Sequence, residues 1–338
     1  MSKFKFYFIS LIATITIISC SKDDNKVPVE PPRDYAVQYA TDIADIETYL
    51  KTNYFTVVNH PGFADDQDVT ITKIPDGGTQ PSIWSYLNSN TFPKLLSRDV
   101  SNHDIIYKLY YLVIREGIKD VTTGVGGENP CNVDGVFAGY KGTLLDGTVF
   151  DSSNNGQVLF NLDGTPHDGG EAVFVRGWSE GFPKFKTGQL ISNDNGTISY
   201  ANFGSGAIFI PSGLAYYNAG TLDIPAYSPL VFSIKLYALK RYDHDADGIP
   251  SYLEDLNGDG YMNRLATGVK NPDDTDGDEI PDFLDFDDDG DNYATRGEIK
   301  DASGKYYEFD KIPDCSGNQT DPLRKKRHLD KDCIKMNQ

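Results

Sequence analysis

Basic residues are scarce in this chain. It holds 31 Lys and Arg against 50 Asp and Glu, a formal charge of −19. An acidic surface repels a phosphate backbone, which excludes nucleic acid as a partner. Cysteines number four and histidines five in 338 residues. His60 and His103 stand alone, without metal-ligand spacing, and read as solvated or structural. A membrane-spanning run is lacking as well: Phe6 to Ile18 is apolar but too short to cross a bilayer comfortably. What is abundant is 21 Tyr, 18 Phe and 32 Gly, which favours strands and turns over helix. With 39% hydrophobic residues, most of the chain should fold around real cores, in two or three domains by length.

Lys3 and Lys5 ahead of the apolar run mark residues 1–19 as a signal peptide. The run ends Ile17-Ile18-Ser19-Cys20, which resembles a bacterial lipobox; a plain secretory signal is the alternative. The resemblance implies a lipid on Cys20 and anchoring to the bacterial outer membrane, on its periplasmic or cell-surface side. Ser21-Lys22-Asp23-Asp24 resembles the acidic export tag of surface lipoproteins. Residues 20–33 are Pro-rich and read as a tether. Export implies an oxidising compartment. Cys315 and Cys333 bracket a polar segment where a disulfide would add stability, leaving Cys131 over.

Residues 34–104 read as an N-terminal extension. Asp34 can cap a helix to Lys51, whose apolar stripe is Tyr35, Tyr39, Ile43, Ile46 and Leu50. Tyr54–Asn59, Val69–Ile74 and Ile83–Leu87 are short β-like runs. From Ile105 the pattern is strand-rich. Tyr140 to Asp151, Y-K-G-T-L-L-D-G-T-V-F-D, predicts a hairpin turning at Asp146-Gly147. Gln157–Leu162 is another strand, Val173–Trp178 enters a short helix, Ile191–Ser205 is a polar insertion, and Ala207–Pro211 and Leu230–Leu239 are the last strands. Taken alone, the hairpin is an ordinary one with a buried ring.

Four pieces in order change that reading: Y-K-G-T-L-L-D-G-T-V-F-D-S-S, V-R-G-W-S-E-G, I-P-S-G-L-A-Y and I-P-A-Y-S-P-L-V-F-S-I-K-L. Together they resemble the FKBP-type peptidyl-prolyl cis-trans isomerases, over residues 105–240. The resemblance implies an α+β fold: a curved antiparallel sheet wrapped on a short helix with an apolar pocket between. Tyr140, Phe150, Asp151, Trp178, Tyr216 and Phe232 would be catalytic, and Phe160, Val175 and Ile224 would bind substrate, with Trp178 as the floor. Two positions depart from the family: Val158, where an aromatic is usual, and Tyr217, where a glycine is usual. Rotation about an X-Pro bond faces a barrier of roughly 20 kcal/mol because amide resonance must be lost. No bond is made or broken, so the activity needs no cofactor. A dry pocket removes solvent from the planar amide, and donors that fit the twisted amide lower the barrier. The Tyr216 hydroxyl and the Val175 N–H are the candidate donors. Partners would be proline-containing polypeptides, with the chain a monomer. A non-catalytic peptide-binding or chaperone module is the alternative.

Asp243 to Glu298 holds 18 acidic and 3 basic residues, hence −15 in one stretch. Within residues 241–300, Asp243, Asp245, Asp247, Ile249, Ser251 and Glu254 stand at positions 1, 3, 5, 7, 9 and 12 of a calcium-loop spacing. Asp274, Asp276, Asp278, Ile280, Asp282 and Asp285 repeat it, as do Asp287, Asp289, Asp291, Tyr293, Thr295 and Glu298. Asp255, Asn257 and Asp259 supply a partial fourth. The pattern resembles thrombospondin type 3 repeats and implies structural calcium in an irregular C-terminal region. A solvated acidic linker is the bland alternative, and a calcium-dependent surface adhesion component is a third functional reading. Residues 301–338 are a polar tail, in which Arg324-Lys325-Lys326-Arg327-His328 is expected at the surface.

Overall fold

A computed structural model describes residues 31–154, 156 and 158–333. The signal peptide, Cys20 and most of the tether lie outside the described residues. Among those described, no helix is long and apolar enough to cross a membrane. The elements run α1 (Tyr35–Thr52), β1 (Asn53–Val57), β2 (Val69–Lys73), β3 (Lys94–Asn102), β4 (Ile105–Arg115), β5 (Ile118–Asp120), β6 (Val125–Gly126), β7 (Gly135–Leu144) and β8 (Val149–Ser153). There follow β9 (Leu159–Asn161), β10 (Glu171–Ala172), α2 (Arg176–Gly181), β11 (Gln189–Ser192), β12 (Ile198–Ala201), β13 (Gly204–Ile210), β14 (Leu230–Lys240) and α3 (Thr295–Glu298).

An eight-stranded sheet dominates, in the order β10-β9-β7-β14-β13-β4-β3 with β8 paired to β7. All its pairings are antiparallel except β9–β10. Period-two alternation divides its side chains between two cores. Leu109, Tyr111, Ile208, Ile210, Phe232 and Ile234 face α2 with Trp178 and Phe182. Tyr110, Leu112, Ala207, Phe209 and Val231 face the other way, onto Ile46, Tyr49 and Leu50 of α1. Of the predicted stripe, Ile43, Ile46 and Leu50 cover the second face of the sheet, whereas Tyr39 packs against the first core and Tyr35 stacks on His103 and Tyr217.

The 104/105 position falls inside the β3–β4 hairpin, where His103 and Asp104 turn with φ of 51° and 58°. Strand β3 of the extension is thus an edge of the main sheet. The loop after β1 docks on the same body: Arg115 pairs with Asp66 at 3.1 Å, Ser205 Oγ donates to Gln67 Oε1 at 3.0 Å, and Lys235 meets Asp68 and donates to the Ala64 carbonyl. Residues 35–333 belong to one compact unit.

Ile83–Leu87, expected as β-like, instead forms a single 3₁₀ turn over Ile83–Tyr86. Pro81 and Ser82 lead into a turn, and Ile83 is fully buried with its neighbour Trp84 against the α1-side core. The polar insertion folds as the β11–β12 hairpin, turning at Asn193 to Gly196. The C-terminal region is irregular, built of short turns and α3, yet it has small cores of its own. Ile249, Ile299 and Ile312 form one, while Met262 and Phe283 pack with Cys131 and Val133 in another. Cys315 and Cys333 are joined, with Cα atoms 5.3 Å apart. The basic run is not all at the surface: Arg327 and His328 are buried. Arg327 donates to the Lys300 carbonyl at 2.7 Å and Arg324 to the Ile312 carbonyl at 2.9 Å, so carbonyls at the end of the repeats and in the tail draw the two arginines inward.

Candidate active site and carboxylate loops

Tyr140 comes from β7, Phe150 and Asp151 from β8, Phe160 from β9, Trp178 from α2 and Phe232 from β14. Val175 precedes α2, and Tyr216 and Ile224 lie in the loop between β13 and β14. All nine line one cavity of about 340 Å³. Trp178 is its floor: the indole is 4% exposed, with the rings of Tyr140, Phe160 and Phe232 at 5.0, 5.4 and 5.2 Å, all edge-on. The hairpin can present Phe150 because Gly142, opposite Asp151, carries no side chain. A Cβ there would run into the Phe150 ring and come within 3.0 Å of Phe232.

The polar side chains on the cavity are Tyr140, Asp151, Glu171, Tyr216, Thr221 and Asp223. The Tyr140 hydroxyl donates to Asp151 Oδ2 at 2.6 Å, and Asp151 Oδ1 accepts the Ser152 N–H at 2.8 Å. Burial raises the Tyr140 phenol pKa, and the hydrogen bond to Asp151 raises it further. The Tyr216 phenol is also raised by burial, then by the Asp151 charge. Both hydroxyls therefore remain protonated donors at neutral pH. Trp178 Nε1 is buried with no hydrogen-bond partner among the described residues, so the floor keeps one donor free. Phe174, 81% exposed on the rim, was not anticipated. It neighbours Val175 in sequence and lines the same cavity, but no motif marks it.

Tyr217, at the position where glycine is expected, takes the left-handed φ of 46°. Its ring stacks on Tyr35 at 4.2 Å and packs edge-on against Tyr227 at 5.2 Å. The side chain turns toward α1, away from the cavity.

The carboxylate loops share one backbone design. Position 1 accepts the N–H of position 6 in all four: Asp243 from Gly248, Asp255 from Gly260, Asp274 from Glu279 and Asp287 from Asn292. Position 5 accepts the N–H of position 7 in each, at 2.6–2.8 Å. Positions 4 and 6 both have positive φ throughout, including the non-glycine residues Ala246, Glu279 and Asn292. The partial fourth copy therefore folds like the rest.

Ligand-type oxygens gather in three groups: Asp245, Asp247, Glu254 and Asp288; Asp274, Asp276 and Asp278; Asp287, Asp289 and Asp291. Asp243, Asp285 and Glu298 lie outside these groups. The position 9 side chains Ser251, Asp282 and Thr295 accept the N–H of position 2 in their own loops. Ile249, Ile280 and Tyr293 stand at position 7 with their N–H groups bonded back to position 5. Asp288 was missed because it stands at position 2, off the alternating pattern. Both oxygens of Glu254, Asp288 and Glu298 are buried without hydrogen-bond partners among the described residues. Burial and then neighbouring carboxylates push Asp247 up to about 7 and Glu254 to about 10. Uncompensated buried carboxylates are costly, and a divalent cation is the chemistry that would satisfy them.

Two sequence families match. Residues 244–322 match the family described as BamM C-terminal, and residues 126–192 match FKBP-type peptidyl-prolyl cis-trans isomerase. The isomerase FkpA of Escherichia coli (strain K12) is 35% identical over 135 residues, 37% of this chain and 41% of that one. A probable FkpA of Neisseria meningitidis is 33% identical over 133 residues, 36% and 40% of the two chains. A crystal structure of FkpA from Escherichia coli aligns at 34% identity over 39% of this chain and 48% of that one, with a TM-score of 0.28. The chain thus spans about two fifths of the length of these curated relatives. Six of the nine cavity residues, Tyr140, Phe150, Asp151, Phe160, Val175 and Trp178, fall within residues 126–192, the part of the chain that is similar to FKBP-type peptidyl-prolyl cis-trans isomerases.

Proposed function

We propose that this chain is a prolyl isomerase that assists the folding of exported or envelope polypeptides. The observation that carries the reading is the single cavity lined by Tyr140, Phe150, Asp151, Phe160, Val175, Trp178, Tyr216, Ile224 and Phe232. A proline ring seats on Trp178 between the aromatic walls. Closure over the preceding amide strips water from its carbonyl, which weakens the planar, polar form. The Tyr216 hydroxyl and the Val175 N–H donate to the bound backbone. Asp151, held by Tyr140, faces the twisting carbonyl and orders the adjacent rings. Binding the twisted amide better than the planar one is the whole of the catalysis.

The same proposal places structural calcium in the repeats, held by the three carboxylate groups, with Cys20 as the lipid anchor at an outer membrane. Calcium would neutralise a stretch whose carboxylates otherwise repel one another. It plays no part in the rotation step, and the pocket residues alone carry that step.

A proline-limited refolding assay on the untagged mature chain tests the activity. Acceleration by the wild type, reduced in Tyr216→Phe and Asp151→Ala, is expected. No acceleration by the wild type, together with unchanged proline-peptide affinity in both variants, would leave only the peptide-binding reading.

A further inference from the structure

One cluster lies outside both the cavity and the carboxylate groups. Asp163 and His167 stand in the loop between β9 and β10, and His244 stands at position 2 of the first repeat. His167 Nε2 is 3.2 Å from Asp163 Oδ2, and His244 Nε2 is 3.7 Å from the same oxygen. One donor atom from each lies within 4.8 Å of the other two. Three ligands of a tetrahedral zinc ion, with bonds near 2.0–2.1 Å, stand about 3.3 Å apart. The two spacings to Asp163, 3.2 and 3.7 Å, bracket that value.

A second observation concerns His244 itself. Its Nδ1 is engaged by Ser251 Oγ at 2.9 Å, while Nε2 is buried with no hydrogen-bond partner among the described residues. A proton on Nε2 would sit too far from Asp163 for a hydrogen bond. A lone pair there would face a carboxylate with nothing between them. A cation between the two resolves both cases. The surroundings are those of a held ligand set: Nδ1 fixed by a neighbouring side chain, Asp163 fixed by the N–H of Thr165 at 3.1 Å and by its hydroxyl, and His167 packed on Tyr242 at 4.2 Å between ring centroids.

We propose that Asp163, His167 and His244 form a site for a borderline divalent cation, zinc being the species that two imidazoles and one carboxylate select. Oxygen-only groups suit calcium, whereas imidazole nitrogen suits zinc. The two kinds of site are therefore adjacent and chemically distinct. Asp163 and His244 also border a cavity of about 420 Å³, which leaves room for water as the fourth ligand. The ion joins the first repeat to the loop that leads, through β10, to Val175 at the wall of the aromatic cavity. Zinc would clamp that wall to the C-terminal region.

The test uses the untagged full chain, saturated with calcium, titrated with zinc by calorimetry and separately loaded with cobalt(II). Wild type is expected to bind one zinc per chain, at least tenfold more tightly than His167→Gln or His244→Gln. It is also expected to show the intense visible bands of four-coordinate cobalt. His167→Gln, in a partly exposed loop that is outside the repeats in sequence and contributes to none of the carboxylate groups, should keep the wild-type calcium stoichiometry. Wild-type zinc binding no stronger than that of His167→Gln and His244→Gln, or a six-coordinate cobalt spectrum in the wild type, would overturn the site. The cobalt measurement needs no variant, so a folding defect in either substitution leaves the outcome decisive.

Discussion

Asp42 in α1 accepts two hydrogen bonds from Ser212, at 2.7 Å from its backbone N–H and 2.6 Å from its hydroxyl. Ser212 opens the segment that carries Tyr216, so the helix of the extension holds the loop that supplies a pocket donor. Burial raises the Asp42 carboxyl, and the Ser212 and Gln38 bonds oppose that rise. Asp42→Ala leaves the Ser212 donors buried and unpaired. We expect a loss of about 1–3 kcal/mol in denaturant unfolding, together with a fall in isomerase activity although Asp42 touches no substrate. Unchanged activity in a destabilised variant would show that the loop is held by other contacts.

Tyr140→Phe removes the 2.6 Å bond to Asp151 and leaves the ring in place. The expected result is a drop in kcat/KM of about tenfold, equivalent to about 1.4 kcal/mol of transition-state stabilisation. Proline-peptide affinity should change much less, because the apolar walls are untouched. Equal losses in affinity and rate would mean that the bond serves binding alone.

Residues 105–240 expressed alone should fail to give a soluble, cooperatively folding domain. They would expose Tyr110, Leu112, Ala207, Phe209 and Val231, which α1 covers. The strand partner of β4 in β3 would also be gone. A broad or absent thermal transition with dye binding is expected, while residues 35–333 unfold cooperatively. A sharp transition in the short piece would show that the extension is dispensable.

The Asp66–Arg115 pair predicts an acid-side loss of stability. Burial raises the Asp66 carboxyl, but the His60 N–H and the Arg115 guanidinium outweigh it and hold the group below its ordinary value of 3.8. A depressed carboxyl stabilises the fold above its unfolded-state pKa, and that contribution is lost as pH falls through the folded value. Wild type should therefore lose stability below about pH 5 more steeply than Asp66→Asn. Parallel curves from pH 7 to pH 2 for the two proteins would exclude the pair as the source.

Chelation should lower the melting temperature. At a free calcium concentration of 100 times Kd, one site adds about 2.7 kcal/mol. Glu254→Gln, which alters the group with Asp245, Asp247 and Asp288, should remove part of the calcium-dependent shift. Calorimetric titration should count two or more sites; fewer than two would end the multi-loop reading.

The pocket was legible because its residues sit in short motifs of fixed order, and their types are dictated by the need for a dry aromatic wall. The carboxylate loops were legible from spacing, including the odd Glu279 and Asn292, since position 6 recurs whatever residue fills it. Asp288 was not legible, because one more Asp in D-F-D-D-D-G-D carries no sign that it reaches a neighbouring loop. Nor was the docking of Arg327 and His328, since a run of charges looks solvated until carbonyls such as those of Lys300 and Ile312 are placed beside it. The strand β3 went unseen: K-L-L-S-R-D-V-S-N has one exposed edge and mixed polarity, and only its pairing with β4 makes it regular.

Strand β13 has no outward face. Every residue from Gly204 to Ile210 is buried, between β14 on one side and β4 on the other and between a helix-backed core above and below. Even a methyl group at Gly206 would strike the Leu112 carbonyl and come within 2.8 Å of the Phe185 ring. Most antiparallel strands leave alternate positions free to vary in water. Here the lineage has no such freedom. Inherited variation should therefore gather in the β11–β12 hairpin and the rim around Phe174, while β13 passes almost unaltered between generations that disagree elsewhere.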